Sequence, residues 1–166
     1  MHTRRTLLAV LIVLVLMARA AAAQDHEAES LHPFHAAFLL GKTHTGERDG
    51  LTFGGDVEFR FSRALGIGAT VEHVDEPFRE NVWIVPVLVH PTAGLKLTIG
   101  GGFERASEEP EARIGKHGLV RLGAGYDIPL KHGWTLDPDV AVDFVAGEKL
   151  AVYTLAVGKE FGHSRR

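Results

Sequence analysis

Ten ionisable residues sit at alternate positions of otherwise apolar segments: Asp56, Glu58 and Arg60, then Glu72, Lys96, Glu104, Arg121, Asp127, Asp143 and Glu160. Charges of both signs on one face of several segments form ion pairs if those faces meet, and confined carboxylates must pair or stay hydrated. The chemistry on offer is a charge network lining an enclosed space, either a fixed plug or a narrow aqueous path. Other candidate sets are weaker. His26, His32, His35 and His44 gather near one another, and His-rich tracts bind Zn or Cu, but their spacing fits no defined site. No metal or other cofactor is therefore expected. Ser107 with His73 and His117 is the one set from which a nucleophile and base could be drawn, and no local motif makes it a triad. No catalytic residue is assigned. "IGGGF" at 99–103 lies within a strand with no helix behind it, so it is not a phosphate loop.

These residues must be positioned by a chain of 166 residues that contains no cysteine. It opens with Arg4 and Arg5, an apolar run over 7–17 and three alanines at 21–23, the layout of a secretory signal peptide over residues 1–23. The apolar run is too short for a membrane-spanning helix. Export into a compartment that permits disulfides, without a cysteine to form one, leaves topology as the source of stability. Without Arg4, Arg5 and Arg19, 15 basic residues face 21 acidic ones, which argues against nucleic acid as a partner. A polar leader is expected over 24–33 and a short tail over 163–166.

Between them, alternation of period two predicts eight strands: 34–45, 51–62, 65–75, 81–90, 94–104, 117–129, 134–145 and 149–162. Turn residues separate them at 46–50, 91–94, 131–133 and 146–148. Sequential antiparallel strands of this kind form an up-and-down meander, and closure removes its edges. The expected architecture is an all-β, eight-stranded antiparallel transmembrane barrel over 34–162. Its strands suit a tilted crossing, which takes about 9–11 residues.

In "DVEFRFSR" (56–63), Val57, Phe59 and Phe61 oppose Asp56, Glu58 and Arg60. A soluble barrel would bury the apolar side. Three features favour the reverse, with hydrocarbon outside and charge inside. The polar faces are crowded with glycine (Gly66, Gly100, Gly123 and Gly158 among them), which makes room in a narrow lumen for long side chains such as Arg60, Lys96 and Arg121. Aromatic residues sit near strand ends, with Phe53, Phe103, Phe144 and Tyr153 toward one rim and Phe61, Tyr126, Trp134 and Phe161 toward the other. Two such girdles mark a membrane barrel. Tight turns at one end contrast with longer loops at the other, at 45–50, 75–81, 105–116 and 146–148, which places those loops outside the cell. In "NVWIVPVLVH" both faces are apolar, so its orientation is not readable, and Pro86 suggests an edge or a bulge.

The last strand, "VYTLAVGKEF", and the strand "LVRLGAGYDI" (119–128) resemble those of the small outer-membrane β-barrel superfamily of Gram-negative bacteria, which includes the OmpA transmembrane domain. The resemblance covers 34–162. It implies an outer-membrane location, contact with outer-membrane lipid and lipopolysaccharide, and recognition of the last strand by the barrel-assembly machinery. The family usually ends on its aromatic residue, whereas "GHSRR" follows Phe161 here. The superfamily shares no single activity. A non-enzymatic integral barrel with an envelope-structural, surface-binding or weakly conducting role is the expectation, its external partner unspecified. The alternatives are a soluble periplasmic barrel holding a small apolar ligand, and a lipid-modifying enzyme.

Overall fold

A computed structural model describes residues 32–46, 48–106 and 116–162. The expected signal peptide, most of the leader, Ser107 and the tail lie outside them. Among the described residues nine strands form in chain order: β1 (Phe34–Thr45), β2 (Arg48–Arg60), β3 (Leu65–Val74), β4 (Glu80–Thr92), β5 (Leu95–Ala106), β6 (Lys116–Tyr126), a two-residue β7 (Ile128–Pro129), β8 (Trp134–Val145) and β9 (Glu148–Phe161). β6 and β7 together make one stave, because both pair with β8. Every neighbouring pair is antiparallel. β1 pairs with β9 from Phe34–Phe161 to His44–Ala151, which closes an eight-stave barrel. Among the described residues no sheet edge is left open.

Local chemistry sets the turns. β8 and β9 are joined by Ala146 and Gly147 alone, both at positive φ (48° and 87°), the backbone of a tight hairpin whose twist matches its strands. At the opposite end, the Ser62 hydroxyl accepts hydrogen bonds from the backbone N–H groups of Ala64 and Leu65 (3.3 and 3.0 Å), turning β2 into β3.

The two faces separate as alternation requires. Val57, Phe59 and Phe61 are 54, 43 and 56 % exposed on the outer wall, while Glu58 between them is 4 % exposed inside. Leu40, Val71, Ile99, Val120, Val140 and Leu155 extend the outward apolar band round the barrel. An apolar band this continuous is out of place on a surface facing water and suits one facing hydrocarbon.

β4 resolves where its sequence did not. Val85 and Val87 face out, and Val82, Ile84 and Leu88 face in. Pro86 marks neither an edge nor a bulge. It points inward from a stave paired on both sides, opposite Gly100, with the β3 register unchanged on either side of it. Gly68 across from it has no Cβ to meet the ring. The register shift falls further on, between Val89 and Thr92.

Candidate functional site

The lumen is layered. At the loop end Val74, Val82, Ile84, Leu119, Val145 and Leu150 form a buried apolar cluster inside the barrel, with Phe78 of the β3–β4 loop packed on it. Arg48 stands 5.3 Å over the Phe78 ring. Each of the six lies at an inward position near the loop end of its strand, so closure brings them together.

Beneath this seal Arg121 spans the lumen. Its Nε and one terminal nitrogen donate to the two carboxylate oxygens of Asp143, both at 2.6 Å. Its terminal nitrogens also donate to both oxygens of Glu72, one of them at 2.7 Å. A planar guanidinium gripped on two sides by carboxylates satisfies all three groups away from water. The three residues come from β6, β3 and β8, and only the β6–β8 pair is adjacent.

The turn half holds a more distributed network. Arg60 donates to Asp127 (2.7 Å) and Glu160 (3.0 Å) and lies 3.2 Å from Glu58. His90 Nε2 is 2.8 Å from Glu58, and Lys96 Nζ is 3.4 Å from Asp127 and 3.8 Å from Asp139. Beside this network His35 Nε2 lies 2.9 Å from the Thr135 hydroxyl, which donates to Asp137 at 2.9 Å. His35 faces Asp137 and Asp56 at 3.4 and 3.9 Å. A cavity of about 60 Å³ remains in the middle, bordered by Asp56, Lys96, Asp137 and Asp139 among others.

Nine of the ten sequence-singled charges therefore meet in three groups. Glu104 does not join them: it sits at the loop mouth beside Glu80, 3.5 Å from His117. The glycines also act differently from expectation. A Cβ on Gly66 would run into Glu58, one on Gly125 into Asp139, and one on Gly158 into His35 and Thr135. These three make room for carboxylates, an imidazole and a hydroxyl rather than for the long cations, while Gly100 faces Ile84 and Pro86 and Gly123 faces Ala141.

On the outer wall Phe53, Phe144 and Tyr153 are exposed toward the loop rim, and Phe103 stacks on Trp83 with centroids 5.1 Å apart. Phe61, Trp134 and Phe161 are exposed toward the turn rim, where Phe34 stacks on Phe161 and Lys159 lies 5.4 Å over Trp134. Tyr126 is the exception. It is 4 % exposed, because its ring packs against Gly94 in the β4–β5 turn, so it is no part of the girdle.

Sequence reasoning missed His35, His90, Asp137 and Asp139. Asp137 and Asp139 share the parity of Asp143 on β8, a signal that was available. In the sequence His35 belongs to a histidine tract that the fold disperses. His35 is inside, His44 is outside on Asp49 (2.7 Å), and His32 reaches the Gly162 carbonyl (2.7 Å). His73 sits beside Phe53, 3.0 Å from Asn81, whereas His117 lies 3.5 Å from Glu104.

The N-terminal β-barrel domain of Pseudomonas aeruginosa OprF superposes with a TM-score of 0.57 at 12 % identity, over 80 % of this chain and 100 % of that one. Neisserial surface protein A (NspA) gives 0.55 at 11 % identity, over 77 % and 96 %. This chain has the fold of the small outer-membrane β-barrels. A transmembrane β-barrel designed de novo gives 0.52 at 13 %, over 80 % and 99 %, so the likeness is one of architecture and carries no activity with it. No protein-family model and no characterised sequence matches the chain. An outer-membrane barrel fold accounts for the inverted sidedness, since lipid outside and polar groups inside is the arrangement such barrels require.

Proposed function

We propose that the chain is a small integral outer-membrane protein, non-enzymatic, whose barrel is closed to solutes and whose work is done at its loop rim, as an envelope-structural or surface-binding element. One observation carries this reading: the exposed apolar band encircles a lumen filled with ion pairs and sealed by an apolar layer. In this reading the loops after β1, β3, β5 and β8 face outside, the tight turns face the periplasm, and outer-membrane lipid and lipopolysaccharide surround the wall. Delivery by the barrel-assembly machinery would use β9 and its terminal Phe161.

A soluble periplasmic barrel is disfavoured because its apolar residues would be the ones facing water, and the lumenal cavity is small and charged. Membrane fractionation with gel mobility before and after boiling tests the reading. A lipid barrel stays with the membrane and shifts its mobility only when boiled, whereas recovery in the soluble fraction would overturn it. Planar-bilayer recordings should show no steady conductance, and a stable open channel would refute the closed lumen. Release of fatty acid from lipopolysaccharide or phospholipid by the purified barrel would reinstate an enzyme.

A further inference from the structure

The lumen is more acidic than its own cations balance. Glu72 and Asp143 are held by Arg121. Glu58, Asp127 and Glu160 surround Arg60, and Asp127 also takes part of Lys96. Asp56, Asp137 and Asp139 are left around the central cavity with His35 and the remaining share of Lys96. Even with protons on both His35 and His90, eight carboxylates face five cations. A barrel wall clad in hydrocarbon makes such an excess costly unless something neutralises it.

A second observation points to the place. Asp137 is 1 % exposed, and while its Oδ2 accepts from Thr135, its Oδ1 has no hydrogen-bond partner. Asp137 borders the cavity, whose 60 Å³ has room for roughly four water positions. The other oxygen donors there are Asp56, Asp139 and the hydroxyls of Thr70, Thr98 and Thr154, a set suited to hard cations, together with Glu58 and Glu72, which His90 and Arg121 already engage. Among the described residues no three ligating side chains converge to chelate a metal ion directly. From these observations we infer that the cavity binds a small monovalent cation, of the sodium or potassium class, held partly through its own waters between Asp137, Asp139 and Asp56. Lys96 neutralises the turn side of the same cavity, drawn toward Asp127.

This inference rests on the membrane-barrel reading, and one experiment separates the two. Thermal unfolding of the full chain is followed in zwitterionic micelles at pH 8 and constant ionic strength, in sodium chloride and in N-methyl-D-glucamine chloride. Heat-modifiable gel mobility checks folding. The wild type should melt about 4 °C lower in the bulky organic cation. Asp137→Asn should remove that difference, with Asp139→Asn as the substitute if it does not fold, while Glu76→Gln in an exposed loop should retain it. A heat-modifiable wild type that melts identically in the two salts would overturn the site and assign the neutralisation to protons. A difference that persists in both lumenal variants would place the cation elsewhere. Loss of heat-modifiable mobility would instead sink the membrane-barrel reading.

Discussion

At the loop end of the lumen, uncharged side chains from five strands close the barrel over a single guanidinium whose donors are taken up by two carboxylates. At the turn end, Arg60, Lys96 and His90 are shared among Glu58, Asp127 and Glu160, each carboxylate facing more than one donor or facing a donor that has others. Both ends pair buried charge, but with different redundancy. The Arg121 arrangement has no reserve, since loss of the arginine strands two buried carboxylates. The turn-end network can lose Asp127 and leave the rest partnered, since Arg60 keeps Glu58 and Glu160, His90 keeps Glu58 and Lys96 keeps Asp139.

The largest effect tests that difference. Arg121→Leu should destabilise the barrel by about 3–5 kcal/mol, read from urea unfolding in lipid vesicles. Replacing Glu72 and Asp143 with apolar residues in the same protein should recover most of the loss. One residue away on the opposite face, Val120→Arg should cost about 2–4 kcal/mol in vesicles if Val120 meets hydrocarbon near the bilayer midplane. An unchanged midpoint would place water there. At the turn end Asp127→Asn should cost less than Arg121→Leu, about 1.5–3 kcal/mol, because Arg60 keeps Glu58 and Glu160. Equal losses from the two variants would erase the contrast.

Two smaller effects sharpen the picture of the loop rim. Ala146 holds a left-handed backbone without glycine's freedom, so Ala146→Gly should stabilise by about 1 kcal/mol in the same unfolding assay. Glu80 lies beyond the Trp83–Phe103 pair, and its carboxyl is pushed up to about 7, first by burial and then by the neighbouring Glu104. Because the folded barrel then holds a proton that the unfolded chain releases near the ordinary carboxylate value, this stabilisation is full in acid. It is lost as pH rises to and through about 7. Glu80→Gln should flatten that part of the stability–pH profile, and an unaltered slope between pH 5 and 8 would remove Glu80 as its source.

Much of this was legible along the chain, and its failures are specific. On β2, β5, β6, β8 and β9 a plain alternation placed charge and hydrocarbon on opposite sides, and the turn residues located the hairpins to within a few positions. β4 could not be oriented because both of its faces are apolar. One face packs into the lumenal seal and the other into the outer band, a distinction that hydropathy does not encode. Tyr126 has the outward parity of Val120 and Leu122, yet the β4–β5 turn folds over its ring at the strand end, where parity no longer governs. Asp137 and Asp139 were readable from β8, whereas His90 on the ambiguous β4 was not.

The residue pattern by itself determined which side chains share a face and where the chain reverses, because both follow from a two-residue repeat and from local turn chemistry. Only the closed barrel decided which charges meet. Arg121 and Glu72 are 49 residues apart in the chain, Arg60 and Asp127 are 67 apart, and Arg60 and Glu160 are 100 apart. Contacts across a lumen depend on the curvature and register of every stave between the partners, and no local pattern carries that information.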